Sequence, residues 1–103
     1  MGMALAQAQQ PAPPAPDFAP PSLTPKGVQS MAAGCAICHG TQGRAAAGSS
    51  VVGLAGRSKG ETVQAMAAFR SGQRPATVMH QIARGYSDDE VAAIAEYFAR
   101  QSR

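Results

Sequence analysis

Cys35-Ala36-Ile37-Cys38-His39 is the stretch on which the reading of this chain turns. About one turn of backbone separates the two thiols, so both can add to the two vinyl groups of a single haem. His39 follows directly and lies under the porphyrin plane, where its Nε2 can ligate iron. Other uses of the spacing fit less well. A disulfide oxidoreductase requires a βαβ context, and no strand pattern is present. A zinc site needs further Cys or His ligands, and only His80 remains. A structural disulfide across so short a loop would do little for a core.

The rest of the chain has the composition of a fold that needs such a group. It has 103 residues, enough for one small domain. Hydrophobic residues make up 45%, but much of that share is Ala, and there is no Trp. A domain of this size has a core worth only about 3–5 kcal/mol without a staple. Two Cys cannot build a disulfide framework, and no apolar run reaches the roughly 20 residues of a membrane span. A covalently held macrocycle of large apolar area would supply the missing core.

Iron then needs a sixth ligand or an open site. Of the five Met, Met1 and Met3 lie in the low-complexity start, Met31 on the helix leading to the thiols, and Met66 among alanines on a helix. Met79 differs, because it follows the extended segment Arg74-Pro75-Ala76-Thr77-Val78, and such a loop can carry it across the far haem face. A lone Met is ordinarily core filler, and the haem motif is what makes Met79 the candidate. His80 beside it is the rival. Ligation by two His would give a lower reduction potential than His with Met.

Helix signals dominate from Thr24 onward. Thr24-Pro25 is an N-cap and first-turn pair opening a helix through Ala33. Val63, Met66, Ala67 and Phe69 recur at helical spacing in Gly60 to Arg70, stopped by Ser71-Gly72. A short helical turn is expected from Thr77 to Arg84. Ser87-Asp88-Asp89-Glu90 reads as a capping box before a final helix with Val91, Ile94, Ala95 and Phe98 on one face. Three to four short helices joined by Gly-rich loops make an all-α domain.

Before this domain the chain reads differently. Ala4-Leu5-Ala6 has the small-x-small form of an export cleavage site, so residues 1–6 are expected to be the remnant of a signal and the protein periplasmic. Seven of the eight Pro lie between Pro11 and Pro25. Residues 7–23 are therefore expected to form an extended spacer that cannot pack as helix or sheet, with Phe18 as its one aromatic anchor. Residues 24–103 are the domain.

The net charge of +3 is unevenly spread. From Thr24 to Ser87 seven Lys and Arg face only Glu61, whereas Asp88 to Arg103 is net acidic. The cations are scattered singly, without the basic runs and interleaved aromatics of a nucleic-acid binder. They suit a solvated basic surface, a face toward an acidic partner, or compensation of a bound anionic group; Arg57 or Arg44 could pair with a haem propionate.

Cys35 to Gly40 with Thr41-Gln42-Gly43, then Gly53-Leu54-Ala55-Gly56, resembles the small bacterial class I cytochromes c. Phe69-Arg70-Ser71-Gly72-Gln73-Arg74-Pro75-Ala76-Thr77-Val78-Met79 and Ile82-Ala83-Arg84-Gly85-Tyr86-Ser87-Asp88-Asp89-Glu90 resemble, more narrowly, the haem subunit of flavocytochrome c sulfide dehydrogenase. The similarity covers nearly all of Val28 to Phe98. It implies the class I cytochrome c fold around one covalently attached haem c, with the first and last helices crossing near Gly34 and Tyr97. It implies Cys35, Cys38, His39, Met79, Leu54 and Tyr97 as haem-binding residues, His39 and Met79 being the axial ligands of the iron.

Two departures bear on the site. Related cytochromes commonly place Pro in the loop that gives a backbone carbonyl to the proximal His Nδ1–H; this chain has Ser49-Ser50-Val51-Val52 there. Some members carry two haems, and this chain has one attachment motif. The function implied is one-electron transfer, as the cytochrome subunit accepting electrons from an FAD-containing sulfide dehydrogenase subunit in a heterodimer. A freely diffusing periplasmic electron carrier is the alternative. A haem sensor or peroxidase-like enzyme is a third class, for which the sequence offers no distal acid–base group except His80.

Overall fold

A computed structural model describes residues 20–103, and the expectations for the signal remnant, Phe18 and most of the Pro-rich arm lie outside them. Four α-helices follow one another: α1 (Pro25–His39), α2 (Lys59–Ser71), α3 (Met79–Arg84) and α4 (Asp88–Ala99). Short 3₁₀ turns precede α1 at Pro21–Leu23 and follow it at Thr41–Gly43. No strand forms among the described residues, and none of their helices is long and apolar enough to cross a membrane.

The caps explain the boundaries. Thr24 Oγ1 accepts from the Gly27 amide at 3.1 Å, and Pro25 occupies the first turn, where its missing N–H costs nothing. The helix expected to end at Ala33 runs on through the thiols to His39. Gly34 does not interrupt it, because a single exposed helical Gly costs only about 1 kcal/mol relative to Ala. The stop is Gly40, whose φ of +96° few other residues tolerate. Ser58 caps α2 by accepting from the Glu61 amide at 3.2 Å, and Gly72 ends it in the left-handed region.

Pro21–Leu23 belong to the part of the expected arm that the structure describes. This segment, placed by composition in the unpackable spacer, makes one 3₁₀ turn against α1 and α4. Proline suits the first position of such a turn, and Leu23 closes it by donating its amide to Pro20 at 2.8 Å.

Two apolar clusters share α4. Ile94 and Phe98 pack on Ala32 of α1, with Met31, Leu54 and Tyr97 around them. Val91 packs on Met66 of α2 and Ala83 of α3, with Val63, Phe69 and Met79 alongside. Tyr86 touches both clusters. Phe98 is fully buried, and Gly43 lies so close that an added Cβ would stand 2.6 Å from its ring. The Gly56 amide donates to the Phe98 carbonyl at 2.9 Å, tying the long α1–α2 loop to α4. Among the described residues, four of the eight buried apolar ones are Ala, so the helices enclose space they do not fill.

Candidate haem site

That space is a cavity of about 640 Å³ reached by all four helices and the α1–α2 loop. Its size falls in the roughly 300–1,000 Å³ range of cofactor and ligand sites. The end of α1 contributes Cys35, Cys38 and His39; the loop adds Val52 and Leu54; α2 adds Met66 and Phe69. Met79 and Ile82 enter from α3, Val91 and Ile94 from α4. The walls are mainly apolar, as a macrocycle requires, with the two thiols and an imidazole at one end of the first helix.

His39 is oriented by the loop. Its Nδ1 donates to the Val52 carbonyl at 2.6 Å, which leaves Nε2 as the ring's lone-pair nitrogen. The carbonyl expected from this loop is therefore present without proline. The loop has its own fastenings: Ser49 Oγ accepts from the Val51 amide at 3.1 Å, and the Gly43 carbonyl accepts from Leu54 and Ala55 at 2.7 and 3.0 Å.

Cys35 and Cys38 are not joined in a disulfide. Cys38 is exposed, and burial pushes the Cys35 thiol above its ordinary pKa. Burial, then Cys35 and Glu90, also raise the phenol of Tyr86, which stays neutral on the cavity wall. No group of three metal-ligating side chains forms among the described residues, so nothing there completes a zinc site around the thiols.

The two rivals for the second axial position are separated. Met79 opens α3, is half-buried against the Met66–Ala83–Val91 cluster, and lines the cavity. His80 does not line it, and its buried Nδ1 has no hydrogen-bond partner. Met66 also reaches the cavity, as a core residue only 9% exposed.

Of the six residues expected to bind the cofactor, Cys35, Cys38, His39, Met79 and Leu54 come together on this one surface. Tyr97 does not. Its ring stands edge-on to Phe98 at 5.3 Å and 85°, packed on the Ala32–Ile94–Phe98 cluster behind the wall. Sequence reading overlooked Thr62, Tyr86 and Ile82, which line the cavity. Thr62 lies four residues before Met66 on α2, a helical spacing that could have flagged it.

The two arginines raised as propionate partners also separate. Arg57 lines the cavity, with Nε fixed on the Gly53 carbonyl at 2.8 Å. Arg44 is outside it, bound to the Ser102 carbonyl and hydroxyl and to Gln42.

Comparison with known proteins agrees with this geometry. Residues 24–102 match the Cytochrome c family profile. The chain is 39% identical over 69 residues to the "Cytochrome subunit of sulfide dehydrogenase" of Chlorobaculum tepidum, a match covering 67% of this chain and 61% of that protein. It is 46% identical over 68 residues to the "Thiosulfate dehydrogenase electron acceptor" of Stutzerimonas stutzeri, covering 63% of this chain and 31% of that protein. It is 37% identical over 70 residues to "Cytochrome c-554(548)" of Halomonas halodenitrificans, covering 65% and 83%. The chain thus spans less than two thirds of the length of the first two relatives.

Proposed function

The chain belongs to the cytochrome c family and carries one covalent haem c, and from that premise we propose that it is the electron-accepting cytochrome subunit of a sulfide dehydrogenase, with an FAD-containing subunit as its partner. The family fixes the general activity, electron transfer. The narrower assignment is supported by the 39% identity to a sulfide dehydrogenase cytochrome subunit and by the Phe69–Met79 and Ile82–Glu90 stretches. The observation that carries the electron-transfer reading is the cavity that gathers both thiols, His39 and Met79 on one apolar surface.

Haem c supplies a one-electron couple when bound. Cys35 and Cys38 anchor it as thioethers. The Val52 carbonyl holds His39 with Nε2 free to ligate, and Met79, on the cavity wall where His80 is not, would supply the second protein ligand. With both ligands supplied by the protein, sulfide and oxygen would be kept from the metal, and this chain's task would be to pass electrons rather than transform substrate. Val52, Val78 and Ile82 are exposed apolar residues on the cavity wall, and Arg74 lies with them, so a partner meets an apolar rim with positive charge beside it. The place of action proposed is the periplasm.

The test is reconstitution. The holo-protein mixed with an FAD-containing sulfide dehydrogenase subunit should show haem reduction on adding sulfide, and the two should co-elute one to one. Reduction without a stable complex would favour the diffusible carrier. No reduction by any such flavoprotein defeats the subunit assignment.

A further inference from the structure

Thr62 is a buried hydroxyl that the polypeptide leaves unused. It is 8% exposed, lines the haem cavity, and its Oγ1 has no hydrogen-bond partner. A helical Thr commonly returns its hydroxyl to a carbonyl in the preceding turn; Thr62 does not. A buried polar group without a partner costs about 1–3 kcal/mol. The hydroxyl is in the right place to be satisfied by something that enters the cavity.

Arg57 offers a second donor on the same wall. Its Nε–H bond to Gly53 fixes the stem, while its terminal nitrogens make no hydrogen bond to the protein and no carboxylate pairs with it among the described residues. Arg57 and Thr62 flank the beginning of α2, whose positive dipole end and first-turn amides favour an anion. Glu61 is the one acidic residue lining the cavity. Arg57 offsets it, while Arg74, the other cation there, has its guanidinium 5.0 Å over the Phe69 ring.

We propose that Thr62 and Arg57 hold one propionate of the haem at the N-terminal end of α2. The inference rests on the reading that the haem fills this cavity with His39 and Met79 as ligands. Thr62 gives an O–H bond and Arg57 charge-assisted N–H bonds to the same carboxylate. Because Arg57 also holds Gly53, the residue after Val52, it links the propionate to the loop that orients His39. Donors that offset a carboxylate's charge favour the ferrous form, so they raise the reduction potential.

The experiment is spectroelectrochemistry on the holo-protein and four variants. Thr62→Val keeps the shape and removes the hydroxyl. It should shift the ferric/ferrous ratio at fixed potential about threefold toward ferric, about 28 mV at 59 mV per tenfold. Thr62→Ser should restore the wild-type value. Arg57→Gln should shift the ratio further than Arg44→Gln, which makes the same change of formal charge outside the cavity. An unchanged potential in Thr62→Val would mean that its hydroxyl bonds only water, and overturns the proposal. So does an Arg44→Gln shift as large as that of Arg57→Gln, which would reduce the effect to overall charge. The long-wavelength absorption band of sulfur-ligated ferric haem is read in every sample. Its absence from the wild type defeats the underlying reading of Met79, whereas its presence with no Thr62 effect defeats the propionate assignment alone.

Discussion

His39 Nδ1 lies 2.6 Å from the carbonyl oxygen of Val52, thirteen residues later in the chain. This one bond sets the tautomer and the rotation of the ring, and its acceptor belongs to a loop with no regular structure. In the holo-protein the His39 Nδ1 proton should therefore exchange slowly with solvent, as followed by NMR. Ser49→Ala removes the hydroxyl that the Val51 amide bonds at 3.1 Å, and should speed that exchange. The cost in global stability should stay near the roughly 1 kcal/mol of an exposed hydrogen bond. Equal exchange in both proteins would show that the loop is held by something else.

Met79→Ala should abolish the sulfur band of the ferric protein and lower its reduction potential, because a thioether favours the ferrous state more than imidazole or water does. His80→Ala should leave the band in place, since His80 stands off the cavity wall. No sulfur band in the wild type, with a spectrum shifted by His80→Ala and unchanged by Met79→Ala, would reverse the assignment. Met66→Leu is the control for the other sulfur on the wall, and should cost less than about 1.5 kcal/mol as a near-isosteric core change.

These residues mark what was legible in the sequence. The Cys35–His39 motif declares its chemistry in five letters, and the Ser87–Glu90 capping box fixes the start of α4 without any tertiary information. Local signals could not show that α1 continues past Gly34, because a lone Gly is a stop only where the backbone must turn left-handed, as it does at Gly40. The absence of proline in the Ser49–Val52 loop left the His39 contact open, since any residue has a carbonyl and only the folded loop shows which one arrives. Tyr97, set behind the cavity wall, and Thr62, set on it, show what periodicity leaves open. Which side of a helix faces the cavity and which faces the neighbouring cluster depends on how α4 and α2 are rotated, and periodicity alone does not give that rotation.

Arg70 joins three elements from within α2. Its guanidinium donates to Asp88 Oδ1 at 2.6 Å, the Tyr86 carbonyl at 2.7 Å and the Ala83 carbonyl at 3.4 Å. Asp88 is 92% exposed, so the ion pair itself should contribute little. The carbonyl bonds hold the turn between α3 and α4 against α2. Denaturant unfolding should accordingly find Asp88→Asn within about 1 kcal/mol of wild type, and Arg70→Ala destabilised by about 1–3 kcal/mol. Equal losses would return the weight to the ion pair.

The capping box makes α4 sensitive to acid. Ser87 Oγ accepts from the Glu90 amide at 3.1 Å, and the Ser87 amide donates to Glu90 Oε1 at 2.8 Å. The backbone bond to Ser87 first, and then the Ser22 hydroxyl, hold the Glu90 carboxyl below its ordinary pKa. A carboxylate with a lowered folded pKa adds stability that is complete above the unfolded value of about 4.3 and fades as pH falls through the folded one. The advantage of wild type over Glu90→Gln should thus be constant near neutrality and shrink on acidification through that range. Ser87→Ala should cost about 0.5–2 kcal/mol at neutral pH. An advantage independent of pH would place the effect in packing rather than in the carboxylate.

The last expectation concerns encounter with the electron donor. Between Thr24 and Ser87 the cations outnumber the single acid Glu61, whereas α4 begins with Asp88, Asp89 and Glu90. A partner approaching the cavity rim at Val78 and Ile82 meets Arg74 there and Arg84 in the last turn of α3. Both arginines are exposed and outside the ion pairs of the described residues. Arg84→Glu should slow second-order reduction by an acidic flavoprotein, and Arg74→Glu should do the same. The effect should be largest at low ionic strength and shrink as salt approaches 0.15 M, where charges are screened beyond about 8 Å. Reversing Asp89 to Lys on the opposite-signed start of α4 tests whether the effect is local. If approach is through the rim, this substitution should change the rate much less than Arg84→Glu. Stopped-flow rates across a salt series decide it: a gain from Asp89→Lys as large as the loss from Arg84→Glu, with salt slopes shifted equally in opposite directions, would mean that net charge alone governs encounter, and that the cavity rim is not where the donor docks.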